Sequence, residues 1–208
     1  MEIIPVIHYV DDEQLYKNVC TCNLYKLHKI FLIDHGMNNA NLLNCTLFHK
    51  KQNPHLWIGL NLLGEKTIDA INEDLPGIDG LWSDTALTEE EYNSHRVFKG
   101  MYFGGLAFKY QPQPTDLEAA SIIATKTTDV ATTSGPGTGK AASLVKIQNI
   151  RKYLGSHPMA IASGVDSTNV KQYKDLGVDY CLVASSIINN EEIIQYDLLD
   201  NLLEAIKY

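Results

Sequence analysis

Eight short apolar runs alternate with eight amphipathic stretches along the whole of this 208-residue chain, and that alternation is what most restricts its fold. The runs occupy residues 3–8, 29–33, 56–60, 80–83, 101–108, 129–133, 159–162 and 180–184. Between and after them, residues 12–27, 39–52, 66–74, 89–98, 116–127, 141–154, 167–176 and 197–207 carry helical patterns. In the last of these, Leu198, Leu199, Leu202, Leu203 and Ile206 fall on one stripe, as do Leu144, Ile147, Ile150 and Leu154 in the sixth. Strands buried on both faces and separated by helices are parallel, with right-handed crossovers. Eight such units predict an α/β chain closed into a (β/α)8 TIM barrel, one domain spanning residues 1–208. A typical barrel has ~250 residues, so the loops must be short. A doubly wound open sheet is the alternative, but it wants a glycine-rich turn after the first strand, where this chain reads His8-Tyr9-Val10-Asp11. Gly155 and Gly177 are placed as left-handed helix C-caps, and Asp12, Asp116 and Asp166 or Ser167 as N-caps.

Composition narrows the partners. With 45% hydrophobic and 20% charged residues the chain is ordinary globular material, and a net charge of -8 opposes a general nucleic-acid or anionic-membrane surface. No apolar run approaches the ~20 residues that span a bilayer, and Met1-Glu2-Ile3-Ile4-Pro5 lacks a basic secretory n-region, so a cytosolic, cytoplasmic protein is expected. Cys20, Cys22, Cys45 and Cys181 read as buried free thiols; Cys20-Thr21-Cys22 has neither redox nor zinc spacing, and no metal or cofactor is expected.

In a barrel the chemistry gathers at the C-terminal ends of the strands. Three consecutive ends run into small polar residues: Ser134-Gly135-Pro136-Gly137-Thr138-Gly139, Ser163-Gly164 and Ala184-Ser185-Ser186. Backbone N–H groups bared in this way attract an anion, which points to a phosphate site. The first of the three resembles a nucleotide P-loop only in part, because Ser134 stands at its first glycine and Ala141 follows Lys140 where a magnesium-binding hydroxyl is required. Loop 134–139 is expected to cover a ligand as a glycine-hinged lid, or to be a long turn before a helix.

The remaining strand ends supply candidate proton carriers and ligand-fixing groups. Of Asp34 and His35 only one can face inward, and Asp34 is assigned as the general base, with capping of its own turn as the alternative. Asp84 is paired with it in the proton-transfer role. Lys109, beyond the paired Gly104-Gly105 that mark a close backbone approach, is expected to neutralise a phosphate, or to form a Schiff base if desolvated. Asn61 is placed as a hydrogen-bonding group for the ligand, and His8 as a satisfied structural histidine with proton transfer as its second reading. His28, His49, His55, His95 and His157 receive no role.

The segments Asp129-Val130-Ala131-Thr132-Thr133-Ser134-Gly135-Pro136-Gly137-Thr138-Gly139 and Ala162-Ser163-Gly164-Val165-Asp166-Ser167-Thr168-Asn169-Val170 resemble the BtpA family, the photosystem I biogenesis protein family of barrels. Trp57-Ile58-Gly59-Leu60-Asn61-Leu62-Leu63 is similar to that family's third-strand segment. The resemblance implies kinship with the ribulose-phosphate-binding barrels, with Ser163, Gly164, Ala184 and Ser185 holding a ligand phosphate. These readings lead to a barrel acting on a small phosphorylated metabolite, phosphoribosyl- or nucleoside-linked, by metal-independent acid/base lyase or isomerase chemistry. The alternative is a non-catalytic BtpA-like barrel that binds such a ligand as an assembly or regulatory factor. The expected partner is thus a phosphorylated small molecule, with no nucleic acid and no membrane, and self-association as a homo-oligomer left open.

Overall fold

The computed structural model describes residues 1–207, apart from the side chains of Ser94 and His95. Tyr208, the last residue of the expected barrel, and the side chain of His95 lie outside the described residues. Among those residues the strands are β1 (Glu2–His8), β2 (Lys29–Ile33), β3 (Trp57–Asn61), β4 (Gly80–Ser83), β5 (Met101–Gly105), β6 (Val130–Ser134), β7 (Met159–Ala162) and β8 (Tyr180–Val183). Each precedes a helix: α1 (Asp12–Leu24), α2 (Asn39–Gln52), α3 (Thr67–Ile71), α4 (Glu89–His95), α5 (Leu117–Thr127), α6 (Leu144–Leu154), α7 (Val170–Asp175) and α8 (Tyr196–Lys207). The strands are parallel, run in sequence order and close, with Ile4 of β1 opposite Leu182 of β8 and Pro5 opposite Val183. The expected (β/α)8 barrel is therefore the fold. No helix among the described residues is long and apolar enough to cross a membrane.

Strand alternation sorts the core into two layers. Ile30, Leu32, Ile58 and Leu60 face outward against the helices, while Ile4, Val6, Phe31, Ile33, Trp82, Phe103 and Leu182 fill the barrel. Phe31 meets Trp57, Trp82 and Phe103 edge-on, with centroids 5.3, 5.8 and 5.0 Å apart. Glycines make room for these rings. A Cβ on Gly59 would lie 2.3 Å from the Phe31 ring, and one on Gly80 2.2 Å from Trp57. Large and small residues thus interlock at fixed volume, which a close-packed interior demands.

A repeated clamp ties the N-terminal rim. Asp79, Asp129 and Asp179, 50 residues apart, immediately precede β4, β6 and β8. Each Oδ2 accepts a backbone N–H from the start of the preceding odd-numbered strand: Ile58 at 2.7 Å, Tyr102 at 2.7 Å and Met159 at 2.9 Å. Each also pairs with a cation from the chain just before that odd-numbered strand, Lys50 at 2.6 Å, Arg96 at 2.6 Å and Arg151 at 3.1 Å.

Several local expectations are corrected. β5 ends at Gly105 rather than at 108, because Ala107 adopts φ +48° and turns the chain out of the sheet. The close approach expected there is present, since a Cβ on Gly105 would lie 1.9 Å from the Asp84 carbonyl oxygen. Asp116 caps α5 as expected and Gly155 and Gly177 take positive φ, but Asp11 rather than Asp12 caps α1. Residues 141–143 precede α6, whose cap is Ser143, and α7 starts only after Asn169. Three cysteines are buried, whereas Cys20 is exposed.

Asp129→Ala should destabilise the fold by about 1–3 kcal/mol, since it strands the Tyr102 N–H and leaves the Arg96 charge unpaired. Gly59→Ala should cost about as much by overpacking against Phe31. Urea midpoints that stay at the wild-type value would contradict both expectations.

Candidate functional site

At the C-terminal end of the barrel a cavity of about 280 Å³ opens between the ends of β1, β2, β7 and β8. Lys109, Thr138, Gly139, Ser163, Gly164, Ala184 and Ser185 all line it, so seven of the residues picked from the sequence come together. The centre of the arrangement is Lys109. Its half-buried ammonium donates to Ser163 Oγ at 2.9 Å and lies 3.3 Å from Thr138 Oγ1. Burial lowers its pKa, and the negative charge of Asp84 works in the opposite direction. Asp84 shows the mirror image, with burial raising its pKa against the opposing effects of Lys109 and Asn61. Asp84 and Asn61 line a neighbouring cavity of about 210 Å³, separated from the first by Trp82, which borders both. Asn61 Nδ2 stands 3.5 Å from Asp84 Oδ1.

Local strain accompanies this geometry. Ala107 and Tyr110, on either side of Lys109, and Ser163, its acceptor, have φ of +48°, +60° and +77°. Side chains with a Cβ rarely adopt such angles, at a cost of about 1–3 kcal/mol each, and they persist where the surroundings enforce them. Here the enforcement is visible. Ser134 Oγ accepts the Lys109 N–H at 2.7 Å and donates to the Gly135 carbonyl at 2.9 Å, while Lys146 of α6 donates to the carbonyls of Ala107 and Ser134 at 2.5 and 2.7 Å.

These contacts correct two assignments. Ser134 is fully buried and its hydroxyl is committed to the backbone, so it positions Lys109 instead of facing a ligand. Gly135 is needed for packing, because a Cβ there would lie 1.8 Å from the Lys140 carbonyl oxygen. Gly164, φ +67°, abuts the same peptide from the other side, with its Cβ position 2.2 Å from the Lys140 carbonyl carbon. The Lys140–Ala141 peptide is thus wedged between two glycines. Gly137 is buried, and its carbonyl accepts from Ser163 Oγ at 3.3 Å, while Tyr110 Oη accepts the Thr138 N–H at 3.1 Å. Loop 134–139 is therefore pinned over Lys109 at both ends.

A third correction concerns the assigned base. Asp34 turns into its own loop, where Oδ1 accepts the Gly36 N–H at 2.7 Å and Oδ2 the Asn38 N–H at 3.1 Å. It does not line the mouth, and His35 does. Asp34 and Asp84 therefore cannot divide acid and base work on one ligand. Sequence reasoning chose Asp34 over His35, gave proton transfer only as the second reading of His8, and missed Glu192. His8 lines the cavity with Nδ1 2.9 Å from Glu192 Oε2, and its ring meets His35 edge-on at 4.7 Å. No motif announces Glu192, which lies in the loop between β8 and α8.

No family model matches the chain, and no curated protein matches it. Solved structures do share its architecture. A native KDPGal structure superposes with a TM-score of 0.74 at 12% identity, covering 100% of this chain and 95% of the other. Phosphoribosyl anthranilate isomerase from Thermus thermophilus gives 0.69 at 9% identity over 100% and 98%. Orotidine 5'-monophosphate decarboxylase from Methanocaldococcus jannaschii gives 0.64 at 13% identity over 100% and 97%. The chain is thus a closed parallel barrel of the kind on which these proteins are built. At such identities the likeness is one of fold, and function rests on the mouth itself.

Burial pushes His8, His49 and His157 below the ordinary imidazole value of 6.5. Below that pH the unfolded chain takes up protons that the folded chain refuses, so their contribution is complete above about pH 6.5 and is lost as pH falls through the folded-state values. The urea midpoint should fall between pH 7.5 and pH 5.5. A midpoint that holds level across that range would show these rings to be solvated.

Proposed function

We propose that the protein binds a small phosphorylated metabolite at the barrel mouth, in the cytosol, as a member of the ribulose-phosphate-binding barrels with BtpA-like motifs. The observation that carries this reading is the Lys109 ammonium, held against Ser163 on the wall of a cavity that Gly164, Ala184 and Ser185 also line. A fixed cation beside neutral, small, amide-bearing loops suits a phosphate dianion, and a partly desolvated cation binds one more strongly than an exposed lysine would. Two of the structural neighbours are named for phosphorylated substrates, phosphoribosyl anthranilate and orotidine 5'-monophosphate, which supports the same ligand class. Asn61 and Asp84, beyond Trp82, are the groups available to the unphosphorylated part of the ligand, and their hydrogen-bonding character suits a hydroxylated or amide-bearing moiety, as a phosphoribosyl or nucleoside-linked compound would supply.

The loss of Asp34 from the mouth favours a second reading, in which a BtpA-like barrel binds its ligand without turnover and serves in assembly or regulation. Acid/base lyase or isomerase chemistry needs a different proton carrier.

Inorganic phosphate should raise the melting temperature of the wild type, because a ligand at ten times its Kd stabilises the folded state by about 1.4 kcal/mol. Lys109→Met keeps the apolar stem and removes the charge, so the rise should disappear while the variant still melts cooperatively. An undiminished phosphate response in that variant would move the anion site away from Lys109.

A further inference from the structure

We propose that His8 and Glu192 form a proton-handling dyad at the mouth, with His8 as the general acid/base and Glu192 as the residue that positions it. The inference rests on the reading above only in taking a phosphorylated ligand to occupy the cavity that His8 lines.

Geometry carries it. His8 closes β1, and its side chain is one-fifth exposed, on the wall shared with Lys109 and Ser163. Nδ1 lies 2.9 Å from Glu192 Oε2, a buried oxygen that no hydrogen bond among the described residues satisfies. The loop bearing Glu192 is held in place from α1. The Glu192 carbonyl accepts from Gln14 Nε2 at 2.8 Å and Asn18 Nδ2 at 2.9 Å, and Asn18 Oδ1 accepts the Ile194 N–H at 2.9 Å. Gln14 Nε2 donates as well to the His8 carbonyl at 3.0 Å, so one buried amide fixes the backbone of both members. Glu192 itself is held at φ +58°. A loop that only connected β8 to α8 would need neither a strained residue nor two buried amides aimed at its carbonyl.

A carboxylate at this distance favours the ring proton on Nδ1, which is the tautomer the dyad requires and which leaves the Nε2 lone pair for the ligand. The charged and titratable groups that face the ring are Glu192, His35 from the loop after β2, and Lys109 from the loop after β5. The step they support is proton transfer next to a carbonyl of the ligand. The C–H bond breaks as the Nε2–H bond forms, and its electron pair moves onto the carbonyl oxygen, where the Lys109 ammonium meets the developing negative charge. Glu192 balances the imidazolium. Where the carbon that loses the proton bears a hydroxyl, that hydroxyl's proton passes to the enolate oxygen as its own C–O bond becomes the new carbonyl, and return of the proton from Nε2 to the former carbonyl carbon completes a redox-neutral isomerisation and regenerates neutral His8.

The test is the tautomer and titration of His8 in the 208-residue chain, read by two-bond ¹H–¹⁵N NMR on ¹⁵N-histidine protein and assigned by the signal missing from His8→Gln. The dyad requires the Nδ1–H tautomer in the wild type at pH 8. Glu192→Gln should lower the His8 titration midpoint by about one unit, since it removes the facing negative charge. An Nε2–H ring in the wild type overturns the dyad even if the variant fails to fold, and so does a midpoint that Glu192→Gln leaves unmoved. The phosphate-dependent melting of the wild type is read separately. An Nδ1–H ring without a phosphate response supports the dyad and sinks the phosphorylated ligand, whereas a phosphate response with an Nε2–H ring does the reverse.

Discussion

The pairing of β1 with β8 is the contact on which the mouth depends. Every other neighbouring strand pair joins segments close in sequence, but this one brings the first strand against the last, with Glu2 opposite Tyr180 and Ile3 opposite Cys181. Closure removes the sheet's two edges and, in doing so, creates the wall that His8 shares with Ala184 and Ser185. An open sheet with the same strands would leave His8 and Glu192 on opposite rims and would have no cavity for Lys109 to guard.

Around that cavity the chain is stiff. Lys109 sits between two residues in left-handed conformation, its backbone N–H is taken by a buried serine, and the loop above it is locked by a peptide caught between Gly135 and Gly164. Groups fixed in this way need little reorganisation when charge arrives or develops, which is how a site gains electrostatic power from its scaffold. The glycine-rich loop looks like a hinge in the sequence, but Gly135 serves close packing, Gly139 supplies a positive φ in open space, and side-chain hydrogen bonds leave the loop pinned. Opening it would expose Gly164 and break the Ser163, Tyr110 and Lys109 contacts together.

Fold and site were legible to different depths for physical reasons. The alternation of Phe31 and Ile33 with Ile30 and Leu32 is a local period that burial on two faces imposes, so the barrel could be read directly. The clustering of Lys109, Ser163, Gly164 and Ser185 followed from knowing which end of a strand each occupies. Orientation at a strand end was beyond reach. Asp34 and His35 are adjacent, and which one faces inward turns on the Gly36 and Asn38 amides that capture the carboxylate, a matter of loop conformation. Ser134 reads the same whether it faces a ligand or braces a backbone, and only its complete burial decides. Glu192 meets His8 across nearly the whole chain, a contact to which no periodicity corresponds.

The rim clamps of Asp79, Asp129 and Asp179 bear on the order in which the molecule assembles. Each joins groups 20 to 33 residues apart, whereas the contacts that seat Glu192 span 174 to 178. The entropy lost in closing a loop grows with its length, so the clamps are the easier contacts to make in a chain not yet closed. A nascent or truncated chain can therefore hold its strand pairs in register and still have no mouth. The His8–Glu192 contact exists only when the first and last strands have docked, and the stretch before α8 acts as the keystone for a mouth built at the end of the first strand.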